Sequence, residues 1–106
     1  MKPNLDLIYK WDEVVGVTVT APGEKADFVS RFFAPRALVN EDPVTGSAHC
    51  NLVPYWAEKL GKKKLYAEQL SARHGELYCE ELGDQISLGG NAVTFFKGSI
   101  DLSSVL

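Results

Sequence analysis

Hydrophobic residues recur at two different periods along this chain of 106 residues. Leu5, Ile8 and Trp11 are spaced by three, which predicts a short helix between Pro3 and Trp11. Val15, Val17 and Val19 then alternate with Gly16, Thr18 and Thr20, the period of a half-buried strand. Ala21-Pro22-Gly23-Glu24 is a turn sequence. Phe28 to Ala34 reads as a second strand, stopped by Pro35, and Pro35 to Val44 carries no period. From Thr45 the period becomes helical: Ala48, Leu52, Tyr55, Trp56 and Leu60 share one broad face. Thr45 is the expected N-cap, Gly46 and Ser47 fall in the first turn, and Gly61 is the stop. Pro54 inside this helix should kink it or loosen one turn. Beyond Gly61, strands are predicted over Leu65–Ala72, Glu76–Leu82, Gln85–Leu88 and Ala92–Phe96. Gly75, Gly83-Asp84 and Gly89-Gly90-Asn91 punctuate them. Two strands, a helix and a meander describe one α+β domain, with a curved, mostly antiparallel sheet around a central helix. The Tyr55-Trp56 pair is expected deep in the core.

Composition narrows the classes of function. Hydrophobic residues make up 45% and charged residues 24%, which suits a globular domain and excludes disorder. The net charge is −3 with a pI near 5.3, and Lys62-Lys63-Lys64 is the only basic run. That run follows Gly61 and reads as a solvated turn, so no nucleic-acid partner is expected. No apolar stretch reaches membrane-spanning length, and Met1 to Asp6 leads into no apolar secretion segment. A cytoplasmic protein with two reduced cysteines, Cys50 and Cys79, is the expectation.

The chemistry concentrates in Glu41-Asp42-Pro43-Val44-Thr45-Gly46-Ser47-Ala48-His49-Cys50. Two carboxylates precede a proline turn and a helix start built from small residues. The first amides of a helix lack internal partners and lie at the positive end of its dipole. Thr45, Gly46 and Ser47 thus make a ready site for a carboxylate or other oxyanion. Asp42, just before it, is placed to act as acid or base, or to hold an amine or hydroxyl of the ligand. The same letters also spell ordinary loop-and-cap chemistry. A metal site from His49, Cys50, His74 and Cys79 is disfavoured, because adjacent His-Cys is poor geometry for one ion and no CxxC is present. Cys50 is expected as a small core residue. Ser47 and His49, two apart on a helix, do not face each other as a hydrolase pair would. Arg31 and Arg73 have the reach to meet a carboxylate, although strand-edge ion pairs are their commoner fate.

Longer stretches resemble a known family. Arg31-Phe32-Phe33-Ala34-Pro35, the segment Glu41 to Cys50, Tyr55-Trp56-Ala57, Gln69 to Arg73, Gly75-Glu76-Leu77 and Gly89 to Val93 are similar, in order, to the signature of PhzF-like phenazine-biosynthesis proteins. The resemblance runs from about Val15 to about Ile100. It implies a diaminopimelate-epimerase-like fold, in which two similar α+β domains face each other across a cleft. It implies a cofactor-free, metal-free isomerisation of a small carboxylate metabolite, in which a proton leaves one carbon and returns to another. Asp42 and Ser47 match the active-site Asp and Ser of the family's second domain, and Gly46 and Ser47 match the amides that grip the substrate carboxylate. The family's main acid/base is a Glu of the first domain, to which no position here corresponds. This chain is therefore expected to carry the C-terminal domain alone, as an incomplete half-site. Its expected partner is an N-terminal PhzF-like domain on a separate chain, or a second copy in a homodimer. The alternative is a non-catalytic domain that binds a small anion or pairs with itself. Two positions depart from the pattern: Leu38-Val39 stands where the family commonly has Gly-Ile, and Arg73-His74-Gly75 where it often has Arg-Gly-Gly.

Overall fold

The computed structural model describes residues 1–104. Among them, six strands form one sheet: β1 (Val17–Pro22), β2 (Phe28–Ala34), β3 (Val39–Asp42), β4 (Lys64–Gln69), β5 (Gly75–Leu82) and β6 (Gln85–Gly89). Their order is β1-β2-β4-β5-β6, with β3 also paired to β2. Every pairing is antiparallel except β2 with β4, where Phe28–Ser30 runs parallel to Ala67–Gln69. A parallel pair needs a crossover, and helix α2 (Gly46–Leu60) lies in it. Helix α1 (Leu5–Tyr9) precedes the sheet, and Asn4 caps it by accepting from the Leu7 amide at 3.1 Å.

The core follows from the two periods. Leu65, Ala67 and Gln69 of β4 and Gly75, Leu77 and Cys79 of β5 are buried, while their chain neighbours point outward. Against them α2 buries Ala48, Leu52, Val53, Trp56 and Ala57, and Phe28 of β2 stacks on Trp56 with ring centroids 5.8 Å apart. The Trp56 indole N–H donates to Thr20 Oγ1 at 3.0 Å, so the ring is buried without stranding its polar atom. Tyr55 and Leu60 are corrections to the predicted face: both are exposed, and His49, Val53 and Ala57 are buried instead. Helix α2 runs through Pro54 as one element and ends at Gly61, whose φ of +65° is the left-handed stop that glycine adopts freely.

Strand β1 runs on through Ala21 and Pro22, part of the predicted turn, and β4 ends at Gln69 rather than at Ala72. Two further strands differ more. Strand β3 falls in the segment read as irregular. It is only four residues long, and two of its hydrogen-bonding positions are set by the partner β2 rather than by any period of its own. The predicted strand over Ala92–Phe96 does not form; from Gly90 to residue 104 the chain has no helix or strand, and Val93 and Phe95 are almost wholly exposed. This arm lifts the radius of gyration to 16.7 Å, against about 13 Å for a compact domain of this size. Its apolar residues have the strand pattern but do not pair with the open edge of β6 that they follow.

Two residues noted above, Leu38 and His74, sit on left-handed backbone, with φ +63° and +57°. Both residues carry a Cβ in a conformation that glycine adopts more freely, at roughly 1–2 kcal/mol each. Leu38 is 92% exposed, so its side chain holds nothing in place. Leu38→Gly is expected to raise the urea midpoint at unchanged slope, by a net of about 1 kcal/mol or less once the looser unfolded chain is counted. A lowered midpoint would show that the Leu38 side chain stabilises the turn.

Candidate active site

The site is built on the link from β3 to α2. Asp42 ends β3, Pro43 and Val44 turn the chain, and α2 begins at Gly46. The turn is pinned from several sides. The Ser71 hydroxyl donates to the Pro43 carbonyl at 2.9 Å. Gly75 presses on Val44 so closely that an added Cβ would lie 1.9 Å from Val44 Cγ2, so only glycine fits there. Gln69 lies beneath: its Nε2 donates to the Asp42 carbonyl at 2.9 Å, and its Oε1 accepts the Thr45 amide at 2.8 Å.

Thr45 stands at the N-cap position, yet its side chain does not cap the helix. Its hydroxyl donates instead to Asp42 Oδ2 at 2.5 Å. Thr45 is buried, with its amide and hydroxyl both engaged, so it supports the site from below rather than facing a ligand. Gly46 and Ser47 are exposed, and among the described residues no side chain caps the first turn of α2. A Cβ at Gly46 would meet nothing within 4 Å, so packing within the domain does not demand a glycine there. Asp42 is half-buried and commits Oδ2 to Thr45; Oδ1 has no protein donor among the described residues. An open groove of about 500 Å³ borders Gly46 and runs past Val44, His74, Glu76, Leu88 and Gly90; Asp42 and Ser47 lie outside its lining.

The remaining candidates separate cleanly. Glu41 is taken up by Arg31, whose Nε and Nη2 reach its two oxygens at 2.7 and 3.0 Å. The guanidinium holds the Glu41 carboxyl below the usual carboxylate range, and Arg31 is occupied in turn. Arg73 is exposed. His49 is fully buried, and burial pushes its pKa down, against the opposing pull of the Thr45 carbonyl. A neutral ring with its proton on Nδ1 donates to that carbonyl at 2.7 Å, which leaves Nε2 buried without a partner. Ser47 faces solvent and His49 the core, so they form no nucleophile–base pair. Cys50 is exposed, a correction to its expected core position, because the face shared with Leu52 and Trp56 passes it by. Cys79 is the buried cysteine, and burial raises its thiol to about 11. Among the described residues no three His, Cys, Asp or Glu side chains gather as a metal cluster, and no helix is long and apolar enough to cross a membrane.

Gln69 is the site residue that sequence reasoning passed over. A signal for it existed: it is the one polar residue on the inward face begun by Leu65 and Ala67.

The geometry can be set beside known proteins. Residues 1–98 match the family model described as phenazine biosynthesis-like protein. An uncharacterized isomerase of Pseudomonas aeruginosa is 59% identical over 88 residues, covering 83% of this chain and 34% of that protein. A human phenazine biosynthesis-like domain-containing protein is 40% identical over 104 residues, covering 92% of this chain and 36% of its own length. A solved phenazine biosynthesis PhzC/PhzF protein from Clostridium difficile superposes with a TM-score of 0.85 at 51% identity, over 95% of this chain and 39% of that one. The chain spans about a third of the length of the curated relatives it matches. The matched family model, the named isomerase relatives and the shared fold place this chain in the phenazine biosynthesis-like, PhzF-like, family.

Proposed function

We propose that this chain supplies one wall of an isomerase active site, which takes a small carboxylate metabolite and shifts a proton between two of its carbons without a cofactor. The observation that carries this reading is the exposed, uncapped first turn at Gly46 and Ser47 beside the anchored Asp42. The turn's free amides receive the substrate carboxylate and stabilise the enolate-like charge that builds up as the C–H proton leaves. Asp42 Oδ1 and the Ser47 hydroxyl hold the substrate's own donors and fix which carbon faces the base. The base itself comes from a second unit, since the family's acid/base Glu has no counterpart in these residues. A carboxylate there, closed off from water when the two units meet, gains the basicity that proton abstraction near neutral pH requires.

The exposed arm supports this pairing. Val93, Phe95 and Phe96 carry apolar surface that a partner would remove from water. A second reading, a homodimer or a non-catalytic anion-binding domain, draws on the same arm and the same helix terminus. The two are separated by a chimera in which this chain replaces the segment that it matches in the Clostridium difficile protein. The chimera is expected to incorporate solvent deuterium into a small carboxylate that the parent protein also exchanges, while the isolated chain is inert. An inert chimera beside an active parent would leave the binding or self-pairing reading in its place.

A further inference from the structure

Gln69 is fully buried at the end of β4. A primary amide in that position destabilises the fold unless its oxygen and both N–H groups find partners. All three do. Oε1 accepts the Thr45 amide at 2.8 Å, and Nε2 donates to the Asp42 carbonyl at 2.9 Å and to Thr45 Oγ1 at 3.0 Å. The arrangement admits one orientation. Turned over, the amide would set its N–H groups against the Thr45 N–H and its oxygen against the Asp42 carbonyl.

The direction of the next bond follows. A carboxylate only accepts, so the Thr45 hydroxyl donates to Asp42 Oδ2 at 2.5 Å, and Gln69 fills an acceptor site on the same Oγ1. Donors therefore run one way, from Gln69 to Thr45 to Asp42. We propose that Gln69 is a positioning residue for Asp42: by gripping the Thr45 amide and hydroxyl oxygen together, it holds the hydroxyl proton on Oδ2 and leaves Oδ1 as the oxygen presented to the ligand. This rests on Asp42 being a site residue, as proposed above. It adds that the identity of residue 69, at the far end of the core-facing strand, controls which carboxylate oxygen is free.

The test is proton NMR of the ligand-free chain. In the wild-type protein the Thr45 hydroxyl proton is expected as a resolved, slowly exchanging resonance. In Gln69→Met, which keeps the volume, it should exchange faster by roughly tenfold or more, the equivalent of one hydrogen bond. A Gln69 that only braced the turn would leave the hydroxyl on Asp42 in any variant that still folds. A slow Thr45 hydroxyl persisting in folded Gln69→Met would therefore overturn the assignment. Should Gln69→Met not fold in buffer alone, the same spectrum is taken in sucrose, which favours the folded state, and read in the same way; a wild-type Thr45 hydroxyl exchanging as fast as an exposed threonine's would overturn the assignment without any variant. No ligand is present, so a failure of carboxylates to bind at Gly46 and Ser47 would count against the proposed function and leave this assignment standing.

Discussion

Asp42→Asn, placed in an active two-unit enzyme, is expected to lower turnover by about a hundredfold, the scale that follows when a substrate is held out of place by about an ångström. The change is nearly isosteric. The asparagine oxygen still accepts from the Thr45 hydroxyl, so the link from β3 to α2 keeps its shape. What is lost is the negative charge on the free side of the group, where an N–H₂ now stands opposite the donors of the substrate. Stability should move little, because the bonds that hold the turn come from Gln69 and Ser71 to backbone atoms. The measurement is the rate of solvent deuterium incorporation beside a urea midpoint. Unchanged turnover would remove Asp42 from the mechanism. A collapse in stability would make it a structural residue.

Phe28→Ala is expected to cost about 3–5 kcal/mol, the range for deleting a buried aromatic ring. That is a large part of the roughly 5–15 kcal/mol that holds a domain together. Phe28 has no exposed surface; its ring lies nearly parallel to Trp56 and 5.8 Å from the His49 ring. It also opens the parallel stretch in which Phe28 pairs with Ala67 and Ser30 with Gln69. A cavity there loosens the strand that carries Gln69, so damage to the core reaches the site. The check is the urea midpoint, with a loss below about 1 kcal/mol indicating that the ring is not packed as described.

Much of this fold was legible from period alone. Phe28–Ala34 and the helix Gly46–Leu60 were readable because their apolar spacing and their stops, Pro35 and Gly61, agree. Strand β3 was not, since it is short, polar and held by β2 across an irregular register. Tyr55 was misplaced because an aromatic residue beside a buried tryptophan shares its sequence signal but points a third of a turn away; it meets the Trp56 ring edge-on from outside. Ala92–Phe96 has a strand's composition, but composition does not decide whether a segment pairs, and this one leaves the sheet after β6. At the site, Asp42, Gly46 and Ser47 were marked by their motif, whereas the roles of Thr45 and Gln69 depend on a contact between residues 24 apart that no local spacing encodes.

The most direct test of the account is an amide titration of the isolated, isotope-labelled chain with malonate as the probe. The account predicts that the Gly46 and Ser47 amide resonances move furthest and saturate, while those of Lys62, Lys63 and Lys64 stay near their starting positions. Shifts centred on the lysine run, or none that saturate at Gly46 and Ser47, would contradict the claim that this helix terminus is a carboxylate site.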